Sequence, residues 1–380
     1  MNRYIYGIAL ISILFFGGCG SEDDTISSLK LNRIANLDLN QIGDDNTEQS
    51  AEDMALSADG KTIYLADGSA GLKVIDVTNP NNPKLIAHVD DPTDTGTNRG
   101  GFGRRITISP DGDIVYMADG LAGLKVIDVR DPNNPQQIGK LDTDGFSHGI
   151  TVSKDGKVVI ISDNGEDGGK PGVRIIDVSN PSNPIMITQK DEQWATQATL
   201  SPDGKKLFVT DKKAGVMIYD LANRIARGFD FFDQINNFAN NFKNSKAGTY
   251  KVTDGGICAD IVLSNDGTKA YIANKKPGIK ILDVKDPNHP TLISKFDWDG
   301  KDGKSIAKSV ALSKDGKRLF VANRSTGVEM IDVSDDKNPK QVARVETGGS
   351  AEDVLVSKDG TKLYVANGKA GFAVVDITKE

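Results

Sequence analysis

Short apolar runs recur along this chain, each bounded by Gly, Asp, Asn or Pro. Leu72-Lys73-Val74-Ile75-Asp76-Val77 shows the type, and Thr62-Ile63-Tyr64-Leu65-Ala66 another. Runs of this length, rich in β-branched residues and closed by turn residues, predict strands rather than helices. The stretch from Asp53 to Asp90 reads as four of them. Asp53–Ser57 is strand a, Thr62–Ala66 strand b, Leu72–Val77 strand c and Leu85–Asp90 strand d. Ala58-Asp59-Gly60 makes the first turn. Asn79-Pro80-Asn81-Asn82-Pro83 makes the third, because two prolines cannot sit in a central ladder.

The pattern repeats. Ser-x-x-Gly occurs at Ser57, Ser109, Ser153, Ser201, Ser264, Ser313 and Ser357, at spacings of 52, 44, 48, 63, 49 and 44 residues. A glycine, an apolar pair and an aspartate follow each time: Gly71/Asp76, Gly123/Asp128, Gly172/Asp177, Gly215/Asp220, Gly278/Asp283, Gly327/Asp332 and Gly371/Asp376. A four-strand unit of that period predicts an all-β, seven-bladed propeller with antiparallel blades. The seventh unit stops after strand c. The segment 29–38 carries Arg33-Ile34-Ala35-Asn36-Leu37-Asp38, which matches strand d of the first and sixth units. It is therefore expected to supply the outer strand of the last blade, and its removal to cost more than one strand.

The strand c pattern with its following Asn-Pro-x-x-Pro resembles the LVIVD repeat of bacterial surface and periplasmic proteins. Ser201-Pro202-Asp203-Gly204-Lys205-Lys206-Leu207-Phe208-Val209 is similar to the YVTN class of seven-bladed propellers. The likeness spans nearly all of 29–380. It implies a fold and leaves the activity open.

The N-terminus reads as an address. Arg3 precedes an apolar run from Tyr4 to Phe16, too short for a transmembrane helix. Phe16-Gly17-Gly18-Cys19-Gly20-Ser21 resembles a bacterial lipobox, which implies acylation at Cys19. The domains are then a signal peptide at 1–18, an acidic flexible tether at 19–28 and the propeller at 29–380, with an insertion at 221–256. Gly20 implies a bacterial cell-envelope protein, lipid-anchored in the outer membrane, periplasmic or surface-facing. The membrane is a partner through the lipid alone. Cleavage takes the net charge from −7 to −8, which anionic headgroups repel.

That acidity also argues against a nucleic-acid partner. Three histidines, His88, His148 and His289, lie in different blade positions and offer no zinc spacing. Cys258 stands where other blades place small residues, so a packed thiol is expected. The repeated strand c aspartates are expected to cap turns. No cofactor is identified. Ca²⁺ has weak candidate ligands in Asp297, Asp299 and Asp302, and again in Asp163, Glu166 and Asp167.

Strand a lines the channel, so its first residues belong at the mouth. They are Glu52, Arg104, His148, Thr196, Ala259, Lys308 and Glu352, followed by Asp53, Arg105, Gly149, Gln197, Asp260, Ser309 and Asp353. The expected site is this charged mouth, with Glu52, Asp53, Arg104, Arg105, His148, Gln197, Asp260, Lys308, Glu352 and Asp353. The b–c and d–a loops beside it vary, and the turns of the opposite face do not. The other reading of the two rows is a ring of charges that compensate each other. The insertion places Phe231, Ile235, Phe238 and Phe242 on one helical face, expected to pack on blade 4 or 5. The leading function is a non-enzymatic, lipid-anchored module that binds an envelope protein or polar ligand. A lactonase-like hydrolase is the alternative. A small-ligand or carbohydrate sensor, with Trp194, Phe102 or Phe146 lining a pocket, is the third reading.

Overall fold

The computed structural model describes residues 29–39, 49–90, 101–190, 194–212, 214–221, 242, 245–276, 278–298 and 305–379. Seven four-stranded antiparallel sheets make a seven-bladed propeller. The innermost strands are Asp53–Leu56, Arg105–Ile108, Phe146–Val152, Ala195–Leu200, Asp260–Leu263, Ser309–Leu312 and Asp353–Val356, numbered here as blades 1 to 7.

Six blades run through their four strands in chain order. The seventh takes Leu29–Leu37 as its outer strand, antiparallel to Phe372–Lys379, with Leu31 opposite Ile377 and Leu37 opposite Phe372. Leu29 and Leu31 are buried there against Met330 and Val375.

Apolar side chains fill the gaps between consecutive blades. Tyr64 and Val74 of blade 1 pack with Ile106, Val115 and Ile127 of blade 2, and six similar clusters complete the ring. Each blade thus buries both faces, which explains strands that are apolar almost throughout.

The turn face is built from one device repeated. The Ser201 hydroxyl donates to Asp203 Oδ1 at 2.6 Å and accepts the Lys206 N–H at 2.9 Å. The Ser57 turn has the same bonds. The strand c aspartates accept the backbone N–H two residues on: Asp76 from Thr78 at 2.8 Å, Asp332 from Ser334 at 2.9 Å. These side chains hold turns, as their repetition predicts.

Residues 1–28, with Cys19 and the tether, lie outside the described residues, as do Asp299, Asp302, Phe231, Ile235 and Phe238. Phe242 is described. It is fully buried, its ring 5.4 Å from Tyr219 of blade 4, with the Lys190 ammonium 4.7 Å from the Tyr219 ring.

Candidate functional site

The two rows of strand a residues behave differently. The inner row surrounds a cavity of about 390 Å³ on the ring axis, whose polar lining is Asp53, Arg105, Gln197, Asp260, Ser309 and Asp353. Arg105 reaches across it from blade 2. Its Nη1 lies 3.3 Å from Asp53 Oδ1 in blade 1 and 3.4 Å from Asp260 Oδ1 in blade 5, and Nη2 donates to the Ala259 carbonyl at 3.5 Å.

The three aspartates also staple neighbouring blades. Asp53 accepts the Ile106 N–H at 2.7 Å, Asp260 the Val310 N–H at 3.0 Å and Asp353 the Met54 N–H at 3.2 Å. Ser309 donates to the other Asp353 oxygen at 2.6 Å. Burial raises the pKa of Asp53, reinforced by the negative charge of Asp353, and burial likewise raises that of Asp353. Burial works against the Arg105 charge, but Asp260, Asp53 and Asp353 hold its pKa above the ordinary value. The inner row is thus a compensated ion cluster that locks the ring.

The outer row is more open. Arg104 Nη1 lies 3.6 Å from Glu52, and its guanidinium stacks 4.2 Å from the Phe102 centroid and 5.3 Å from that of Phe146. Cation–π contact of this kind fixes an arginine without neutralising it. Phe102 and Phe146 therefore do not line the cavity; they hold Arg104. Trp194 meets the Lys212 ammonium 5.4 Å from its ring. Lys308 pairs with Glu352 at 2.9 Å. Burial works against the Glu352 charge, but Lys308 and the Ser350 hydroxyl hold its carboxyl below the usual range.

His148 places Nδ1 2.8 Å from the Thr196 carbonyl. Burial, then Arg105, Arg104 and Lys308, hold its pKa well below the ordinary histidine value, so the ring is neutral and Nδ1–H donates. Gly149 of blade 3 lets the Thr196–Gln197 backbone of blade 4 approach, since a Cβ there would fall 2.6 Å from Gln197 Cα and from the Thr196 carbonyl oxygen.

Of the second set of Ca²⁺ candidates, Asp163 and Glu166 take separate partners. Asp163 is fully buried at a strand end, its Oδ2 3.1 Å from Arg174 Nε, with Ser147 donating to Oδ1 at 2.9 Å. Glu166 turns the other way and pairs with Lys212. Asp297 pairs with Lys295 at 2.6 Å. Among the described residues, no group of three or more His, Cys, Asp or Glu is placed to hold a metal ion. Cys258 is buried, and burial pushes its thiol up to about 12, which disfavours the thiolate.

The sequence reading overlooked the b–c turns. Blades 1, 2 and 7 place Gly68, Gly120 and Gly368 just after strand b, with φ of 55°, 53° and 58°. Blades 5 and 6 place Lys275 and Arg324 there, with φ of 43° and 46°. Their backbones bridge to Ala307 and Ala351, just before the next blade's strand a. Lys212 is the blade 4 counterpart, its N–H donating to the Trp194 carbonyl at 3.1 Å. Aligning the blades on Asp67-Gly68, Asp119-Gly120, Asp211-Lys212, Asn274-Lys275, Asn323-Arg324 and Asn367-Gly368 exposes the switch from glycine to cation.

The repeat now has a name. The LVIVD repeat family matches residues 50–91, 100–143, 169–191, 255–297 and 348–379. The chain is a seven-bladed propeller with LVIVD repeats in five of its blades. No curated protein matches it. The matched segments fall on blades 1, 2, 3, 5 and 7, so this LVIVD propeller carries Lys275 inside a matched repeat.

Proposed function

We propose that this LVIVD propeller is a non-enzymatic binding module, lipid-anchored through Cys19 at the bacterial envelope. It takes a protein partner or polar ligand on its mouth face. One observation carries the reading: the two faces differ in kind. The turn face spends its polar groups on its own backbone, as at Ser201 and Asp203. The mouth face holds partly exposed charged side chains at the rim, among them Arg104 beside Glu52 and Arg324 beside Glu352 of the next blade. A rigid ring with variable loops and open charges on one side suits recognition.

The test uses the full-length lipidated protein, cross-linked in its own envelope and analysed by mass spectrometry. Arg104→Glu alters the mouth and Lys205→Glu the turn face. A partner retained by Lys205→Glu and lost by Arg104→Glu supports the reading, and the reverse overturns it. Cys19→Ala is expected to release the protein from the membrane fraction.

A further inference from the structure

The mouth above blades 4 to 6 gathers cations from two origins. Lys212, Lys275 and Arg324 come from the b–c turns, and Lys308 from the outer row of strand a. Most have a carboxylate: Lys212 pairs with Glu166, while Lys308 and Arg324 share Glu352 at 2.9 and 3.8 Å. Lys275 has neither an ion pair nor a side-chain hydrogen bond among the described residues, and it is half-buried.

Its backbone makes the excess harder to explain structurally. Lys275 occupies a left-handed turn position that three other blades fill with glycine, where a side chain is disfavoured. Arg324 does the same one blade on. Two adjacent blades therefore accept backbone strain, and each sets a cation at the same rim. Strain of this kind gathers at functional sites.

We propose that this rim is an oxyanion-binding site, with Lys275 as its anchoring ammonium and Lys212, Lys308 and Arg324 around it, for a phosphate or carboxylate group on a small ligand. Among the described residues these four cations share two carboxylates, Glu166 and Glu352, and like charges crowded in this way are stabilised by an anion that bridges them. Burial, then Lys308, Lys212 and Arg324, bring the Lys275 ammonium down to about 8, against the weaker opposing pull of Glu166. Binding is therefore expected below that pH and to fade above it. The proposal rests on the mouth being the binding face.

The test is isothermal titration of the purified chain with inorganic phosphate and, separately, citrate, at constant ionic strength. Lys275→Gly installs the residue that blades 1, 2 and 7 already use, so folding is preserved and Tm is expected to hold or rise. Its affinity for the preferred anion is expected to fall about tenfold, the order of one charge-assisted contact. Citrate, whose charge is constant above neutral pH, should show a binding midpoint near 8 in the wild type, absent in Lys275→Gly. Stronger phosphate binding identifies a phosphoryl ligand, stronger citrate binding a carboxylate one. Equal binding by wild type and variant, no saturable binding of either anion, or a lower Tm for Lys275→Gly each overturns the proposal. An envelope partner lost on Arg104→Glu while neither anion binds the wild type would overturn the anion site and leave the mouth as the binding face.

Discussion

The turn face and the mouth face are made by the same repeats, yet they use polar residues in opposite ways. On the turn face the hydroxyls and carboxylates of the repeated turns answer backbone N–H groups within five residues, as Ser57 does for Thr62, and Asp336 departs from this by taking Lys269 and Tyr271 of the preceding blade. Such contacts are local, so every blade can carry the same copy. On the mouth face the partners come from other blades: Arg105 meets Asp260 across the axis, and Lys308 meets Glu352 in the next blade. Those contacts are non-local, so each blade needs its own residue. Sameness marks the face that stabilises its own turns, and difference marks the face where blades meet each other and any ligand.

The comparison breaks hardest at the axis. Arg105→Met leaves Asp53, Asp260 and Asp353 without their shared cation. A buried charge deprived of its partner costs about 3–5 kcal/mol, so urea unfolding should show a loss of that order. Arg104→Met, at the open rim, should lose less than about 1 kcal/mol. Equal losses would show that the two rows are not distinct. The Arg105→Met deficit should also shrink toward pH 4, because the raised pKa values of Asp53 and Asp353 let them go neutral there.

A subtler test sits between axis and turns. Burial pushes the Asp67 carboxyl up to about 6 from 3.8, against the attraction of Lys73. The folded state then holds this proton more tightly than the unfolded chain does. This group favours the fold below pH 3.8, and that advantage fades as pH rises through about 6. The shift corresponds to about 3 kcal/mol at most. Asn274, Asn323 and Asn367 fill the same slot in later blades, so Asp67→Asn is a substitution the ring already accepts. Thermal melts from pH 4 to 7 should show the variant gaining relative to wild type as pH rises. Parallel curves would mean that Asp67 titrates normally.

A small, local effect belongs to the turns. Ser201→Ala removes the acceptor for the Lys206 N–H, worth about 1 kcal/mol. Chemical denaturation should report that loss with unchanged cooperativity, since the contact stays within one blade.

Much of the architecture was legible because it repeats. Seven Ser-x-x-Gly turns and seven strand c aspartates located strands a to c of every blade, and the likeness of residues 33–38 to strand d pointed to the outer edge of blade 7. The mouth residues were legible as positions, not as roles. Counting back from Ser57 or Ser109 finds Asp53 and Arg105, but not that Arg105 also spans to blade 5. Asp163 stood out only as a weak Ca²⁺ candidate, because Gly and acidic residues surround it. Its register opposite Ser147 and the reach of Arg174 bury it instead. Lys275 was passed over because a lysine in a polar turn looks unremarkable until its backbone angle and the cations around it are known.

The sequence alone determined what is local and periodic: strand polarity, turn chemistry, blade count and the choice of glycine or cation after strand b. These depend on a few neighbouring residues, so each repeat states them again. Only the closed ring decided which charges meet. Closure brings residues 52 and 299 positions apart into contact, as Asp53 with Arg105 and Met54 with Asp353. It also buries Asp53, Asp260 and Asp353, each against a backbone N–H of a neighbouring blade. Coulomb attraction and desolvation depend on distance in space, and no spacing along the chain encodes that distance.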